Sequence, residues 1–372
     1  MSHANLFHVP ENPYFLSHSV GCLPKSSEQV LADRFTTPWK KSGGDAWGNW
    51  LGVVDDFCLA LSQLLGGQAT DFCPQTNLSS GFSKFLLALP QAEGNRNRIV
   101  MDANAFPSMG FVVKGLESLG FELVLLEHQV AHDPLQTWQA CLDESVLCAL
   151  VTHVHSNTGS VSDVARITQL CAQQDIYSVV DIAQSAGILP IDVTKWNADC
   201  VLGSCVKWLC GGPGAGFMWV NPRLINRLNP VDVGWFSHQN PFEWDIRHFE
   251  YAQSAKRFWG GTPNVAPFAL ALNGINTIKE IGVAHVFEHN RGLVEPVLQA
   301  LQSMLLTPID LSQTGGTLCL QFDDSALNTV RRRLDRVNKL DGQACHYDTR
   351  GNTIRLSFHV YNSQQDADVL VS

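Results

Sequence analysis

The chain has 372 residues, 45% of them hydrophobic and 16% charged, and a formal charge of −10. That length supports a large core with two domains, or one large and one small, and the composition excludes a disordered chain. The negative balance disfavours nucleic acid and anionic membranes as partners, no apolar run approaches the ~18 residues needed to cross a bilayer, and an anionic ligand would require a local cationic pocket.

The N-terminus, MSHANLFHVPENPYF, shows no basic region followed by an apolar core, so no signal peptide is expected. TNLSSGFSKFLLAL reads as a helix opened by Thr76 or Asn77. NRIVMDAN reads as a strand, SMGFVVKGLESLG as a helix ended by Gly120, and FELVLLE as a strand. The run LCALVTHVHS follows, then a helix from about Ser162 to Gln174, then YSVVDIA, DCVLGSC and GFMWVN. Strands alternating with helices predict a mostly parallel sheet covered by helices, an α/β architecture. Residues 264–282 and 284–303 read as long helices. TLCLQF and TIRLSF read as strands around the helical SALNTVRRRLDRVNKL. This predicts a large domain over residues 51–283 and a smaller α+β domain over 284–372, joined by residues 1–50. Eleven cysteines without CxxC pairs, several in apolar runs (Cys148, Cys200, Cys205), point to reduced thiols and a cytoplasmic protein. A disulfide framework or a metal site is not expected.

The chemistry concentrates in two places. VVDIAQSAG puts Asp181 at the end of an apolar strand, where ligands of parallel sheets bind; a helix cap or turn is the alternative. In VLGSCVKWLCGGPG, Lys207 stands among apolar residues after a further strand. The pair fits a pyridoxal phosphate site. The lysine would form a Schiff base with the aldehyde, and the carboxylate would keep the pyridine nitrogen protonated. Burial would favour the neutral, nucleophilic amine. Gln75, Thr76 and Asn77 could supply phosphate donors at a helix start, or form an ordinary cap. Thr262 in GGTPN could contact phosphate or substrate, or belong to a turn before a helix. Phe106 could stack on a cofactor ring or lie in the core. Trp235 and His238 in GWFSH could form a substrate wall or serve structure. DTRGNTIRLSF holds Arg350 and Arg355; Arg355, in an apolar strand, could grip a carboxylate or close a strand-end salt bridge.

These motifs carry a resemblance. YFLSHSVGCLP, QTNL, the FPS of AFPSMG, HVHSNTG, VVDIAQSAG, SCVKWLCGGPGAG, GWFSH, GGTPN and DTRGNTIRLSFHVYNS occur in this order. The chain resembles the class V aminotransferase superfamily of fold-type I pyridoxal phosphate enzymes, and within it the kynureninases, over nearly its whole length. The resemblance implies the aspartate aminotransferase-like fold and a homodimer with shared sites. It implies that Lys207 is the catalytic lysine and Asp181 the partner of the ring nitrogen. Phe106 would stack on the ring, and Gln75, Thr76 and Thr152 would contact phosphate or ring hydroxyl. Gln184 would lie beside the cofactor, Trp235 and Thr262 would come from the neighbouring subunit, and Arg355 would hold the substrate carboxylate, with His238 near the substrate. The chain also departs from the kynureninases. Gln184 replaces their histidine, Val206 their tyrosine and Met109 an aspartate, and Thr262 stands where some have asparagine. The reading is a kynureninase-like hydrolase or lyase acting at the β-carbon of an amino acid, but not a standard kynureninase. The alternative is a class V aminotransferase, which Gln184 suits. A desulfurase would need a mobile cysteine, whereas Cys319 and Cys345 lie in strand-like runs. A non-catalytic binding protein is disfavoured by the retention of Lys207 and Asp181.

Overall fold

The computed structural model describes residues 2–90, 96–127, 134–335 and 345–371. Near the N-terminus a short antiparallel ladder joins β1 (Phe7–His8) to β2 (Leu23–Pro24). The main sheet contains β3 (Phe72–Gln75), β4 (Arg98–Asp102), β5 (Glu122–Leu126), β6 (Val146–Thr152), β7 (Tyr177–Asp181), β8 (Cys200–Ser204) and β9 (Gly216–Val220). Its order is β3-β9-β8-β7-β6-β4-β5. The ladders from β5 across to β8 are parallel, and β9 runs antiparallel to both β8 and β3. The expected mostly parallel sheet is therefore present, with an antiparallel return beyond β8. The central strands read as unbroken apolar runs because both faces are covered: every residue of β6 is buried.

The covering helices start and stop where their caps predict. Asn77 opens the helix Leu78–Ala88, its side chain accepting the Ser80 N–H at 2.8 Å. Asp163 does the same for Val164–Gln173 through the Arg166 N–H at 3.2 Å. The expected helix over 108–120 is Pro107–Gly115 followed by a 3-10 turn, and Gly120 ends it at φ +93°. On the opposite side, helices Trp47–Leu65 and Ala266–Ile281 close the core, with the Phe57 and Phe268 rings 4.9 Å apart.

A second apolar core surrounds a smaller antiparallel sheet, order β10-β12-β11, built from β10 (Thr317–Gln321), β11 (Asp348–Arg350) and β12 (Thr353–Ser357). Helices Val283–Leu301, Asp324–Asp335 and Gln364–Val371 contribute to it. Residues 336–340 of the expected helix over 325–340 lie outside the described residues. Cys319 is in β10, whereas Cys345 is buried without belonging to a strand. The N-terminal segment joins this core directly: Phe15 is fully buried in it and Leu16 bridges to Ser357. Further along, Ser26 and Ser27 bond Asn273 of the helix Ala266–Ile281, so residues 1–50 touch both cores.

Two features of this architecture position chemistry. Thr152, Asp181 and Ser204 are the last residues of the neighbouring strands β6, β7 and β8, so the carboxyl edge brings them side by side. The loop after β8 is then held by backbone packing. A Cβ on Gly21 would stand 2.1 Å from the Lys207 carbonyl oxygen, and one on Gly274 would stand 2.2 Å from that of Leu209. Only glycine permits either approach. His359 adds a hydrogen bond to the Trp208 carbonyl at 3.0 Å and stacks on the Trp208 ring.

Candidate active site

The carboxyl edge of β6, β7 and β8 opens into a cavity of about 270 Å³ that contains Lys207, Asp181, Thr152, Gln184 and Phe106 together. These five sequence candidates come from four stretches, Asp181 and Gln184 sharing one, and the stretches meet only in the fold. The Lys207 ammonium lies 5.7 Å from the centre of the Phe106 ring. Burial pushes the Lys207 pKa down; Asp181 opposes this, and Arg355 and Arg350 add to the fall. Burial pushes Asp181 up, opposed by the Ala183 N–H at 2.8 Å and by the charges of Lys207 and His155. Burial thus draws both groups toward their neutral forms, and each is a charge that opposes this in the other.

Two buried polar atoms on the wall lack a protein hydrogen-bond partner: Thr152 Oγ1 and Gln184 Oε1. Gln184 is fixed from its other end, its amide donating to the His18 carbonyl at 3.1 Å. A buried hydroxyl and a buried acceptor without partners are costly, and a polar group bound in the cavity would satisfy both. Asn77, Leu78 and Ser79 bring the start of the helix Leu78–Ala88 to the same cavity, where its free N–H groups favour an anion. An aromatic face, an acid, an amine and an anion-binding helix start thus surround one space, the donor set that pyridoxal phosphate requires.

Other candidates sit elsewhere. Gln75 is buried at the end of β3 with its amide on the Phe258 carbonyl at 3.2 Å. It shares a neighbouring cavity with Thr76 and Thr262 rather than the Lys207 cavity. Trp235 lies in a 3-10 turn, Trp235–Ser237, packed edge-on against Trp47 and Phe236. His238 accepts the Asn240 N–H at 2.8 Å and contacts the His248 carbonyl at 3.0 Å. Arg355 is buried in β12. Its Nε donates to Asp348 Oδ1 at 2.8 Å, its Nη2 to Asp348 Oδ2, and its Nη1 to the Ser156 carbonyl at 2.7 Å. The salt bridge considered as its alternative role is present, and Ser156 is also part of the Lys207 cavity wall. Arg350 reaches the same residue, donating to Ser156 Oγ at 3.3 Å.

Val206 and Met109, which replace the tyrosine and aspartate expected of kynureninases, both line the Lys207 cavity. Several contributors were not singled out from sequence. Ser204 precedes Lys207 by three positions at the strand end, a signal that the VLGS motif did contain. Ser156 and Asp348 stood in quoted motifs, but their importance depends on pairing across chain segments, which no motif shows. The same holds for His155, whose ring lies 3.9 Å from Asp102 and close enough to act on Asp181.

The model of the family described as aminotransferase class V matches residues 82–370. A kynureninase of Deinococcus radiodurans is 28% identical over 325 residues, covering 83% of this chain and 78% of that protein. An uncharacterised aminotransferase of Bacillus subtilis, YcbU, is 28% identical over 235 residues, 63% of this chain and 60% of its own length. Among solved structures, a cysteine desulfurase of Thermococcus onnurineus superposes with a TM-score of 0.83 at 18% identity, over 97% of this chain and 93% of that one. The enzyme C-DES, with glycine covalently linked to its PLP cofactor, superposes with a TM-score of 0.87 at 18% identity, over 100% and 98%. These structural likenesses confirm the expected fold, and the sequence matches extend to the family read from the motifs. With a match over most of its length and the motif lysine and aspartate gathered in one cavity, this chain belongs to the class V aminotransferase family of enzymes.

Proposed function

We propose that this chain, a pyridoxal 5′-phosphate enzyme by its family and its pocket, acts on an amino acid as a kynureninase-like hydrolase or lyase working at the β-carbon, without being a standard kynureninase. The observation that carries the reading is the meeting of Lys207 and Asp181 in one cavity walled by Phe106. When bound, the cofactor supplies an aldehyde for the amino group and a ring that accepts electron density from the substrate carbon. The residues divide the remaining work. Lys207 offers Nζ as nucleophile and then as proton carrier, which its lowered pKa favours. Asp181 keeps a proton on the ring nitrogen. Phe106 would cover the ring, Thr152 and Gln184 would engage its polar substituents, and the helix start at Asn77–Ser79 would hold the phosphate. Arg355 receives the substrate carboxylate.

Val206 supports the restriction to a non-standard reaction. Its side chain faces the cavity and cannot donate a proton where the kynureninases carry a tyrosine hydroxyl. The same observation, with Gln184 beside it, favours the second reading, a class V aminotransferase. A homodimer fits both. The segment that carries Trp235 also exposes Trp244 and Ile246, at 81% and 97%, which a second copy would cover. All eleven cysteines are free thiols, in keeping with a cytoplasmic enzyme.

Addition of the cofactor should produce a visible absorbance band that Lys207→Ala abolishes; absence of a lysine-dependent band would refute the assignment. A panel of amino acids then separates the two reactions. An aminotransferase stops after one turnover until a keto acid is supplied, whereas a hydrolase or lyase continues without one.

A further inference from the structure

The N-terminal segment passes along one wall of the Lys207 cavity. The Gly21 N–H donates to the Val206 carbonyl at 2.8 Å, and the His18 carbonyl accepts from Gln184 at 3.1 Å. Between these anchors the His18 side chain turns toward the small sheet. It is buried, with Nδ1 at 2.6 Å from Ser357 Oγ and Nε2 at 3.3 Å from Asp348 Oδ1. A carboxylate only accepts, so Nε2 carries the proton, and Nδ1 of the neutral ring accepts from the Ser357 hydroxyl. The burial of His18 pushes its pKa down, in keeping with a neutral ring, although the Asp348 hydrogen bond opposes the shift.

Asp348 is thereby shared. Its Oδ1 accepts from both His18 Nε2 and Arg355 Nε, and its Oδ2 accepts from Arg355 Nη2. Burial pushes the Asp348 carboxyl up, but the hydrogen bonds from His18 and Arg355 outweigh it and hold the group well below the usual carboxylate range. Together with the bond to Ser156, three of the five donors of the Arg355 guanidinium are used, which leaves one N–H on each terminal nitrogen. Asp348 braces two nitrogens of the guanidinium, and His18 is the second side chain bonded to that carboxylate.

We propose that His18 is a positioning residue, which through Asp348 fixes the guanidinium of Arg355 for the α-carboxylate of the amino-acid substrate. The proposal rests on the reading of the Lys207 cavity given above. It makes the N-terminal segment part of substrate recognition, although His18 touches neither substrate nor cofactor. Freed from His18, Asp348 can swing on β11, and Arg355 would then present its remaining donors at an altered angle, which a bidentate contact tolerates poorly.

The test reads binding rather than turnover. Cofactor-loaded protein is titrated with L-alanine and with ethylamine, which lacks the carboxylate, and the change in visible absorbance is followed. His18→Ala should weaken L-alanine binding about tenfold and leave ethylamine binding within about twofold. Two further variants separate the partners of the ring. His18→Gln keeps a donor near the place of Nε2 and should retain most of the L-alanine affinity. His18→Asn keeps a polar group facing Ser357, loses the one facing Asp348, and should behave like the alanine variant. The reverse order of Gln and Asn, or an equal loss with ethylamine, would assign His18 to a structural role and overturn the proposal. Wild-type protein that develops no lysine-dependent absorbance would sink the reading of the cavity itself, and this proposal with it.

Discussion

Lowering the pH from 7 to 5 should cost this protein about 4 kcal/mol of stability through two buried histidines. Burial pushes His153 down to about 4, and it pushes His359 down to about 4 against the opposing hydrogen bond to the Trp208 carbonyl. In the unfolded chain both titrate near 6.5. The folded pKa is the lower one, so between these values the unfolded state binds more protons. Stability is then fully present above the unfolded pKa and is lost as the pH falls through it. At pH 5 each histidine favours unfolding by about 2 kcal/mol, against about 0.2 kcal/mol at pH 7. The Asp348 carboxyl, held low, adds its loss only below about pH 4 and stays outside this window. His359 matters for function because it braces Trp208, the residue after Lys207. The assay is urea unfolding at fixed protein concentration across the pH range, comparing wild type with His359→Gln. The variant keeps a donor for the Trp208 carbonyl but does not titrate, so the loss between pH 7 and 5 should shrink by about 2 kcal/mol. An equal loss in both proteins, or a flat profile in the wild type, would refute the reasoning.

Gly21→Ala should destabilise the protein by about 3 kcal/mol or more, because the new Cβ meets the Lys207 carbonyl; Gly44→Ala, in open space, should be close to neutral by the same unfolding measurement. Asn77→Ala removes the cap of the helix Leu78–Ala88 and should cost about 1 kcal/mol. It should also weaken cofactor binding in an absorbance titration. Asp181→Asn keeps the volume and removes the charge; turnover should fall about a hundredfold or more. The same variant should lower the Lys207 pKa further, since Asp181 is the charge that holds it up, and the pH dependence of cofactor capture reads this directly.

Much of the cofactor site was legible before folding, for identifiable reasons. Lys207 and Asp181 are chemically out of place in apolar strand runs, and a charged residue in such a setting points to a task. Asn77 was visible as a cap because capping depends on local sequence. The strands and helices were equally local, since period and turn residues set them. Arg355 was legible as an unusual strand cation, but its two candidate roles could not be separated until β11 and β12 were paired, placing Asp348 opposite it. His18 lay within the motif YFLSHSVGCLP, but nothing in the sequence gave it a partner. It lies 330 residues from Asp348 along the chain, and no spacing rule connects them.

The chain chemistry alone settled the kind of site, because a buried amine and a strand-end carboxylate answer to local polarity and periodicity. Tertiary packing decided which residues share it. It brought Thr152, Gln184 and Phe106 to Lys207 and took Gln75, Thr76 and Thr262 to the next cavity. It also ran the N-terminal segment between the two sheets. Such placements follow from long-range strand order and backbone contact at Gly21 and Gly274, which depend on distance in space and leave no period in the sequence.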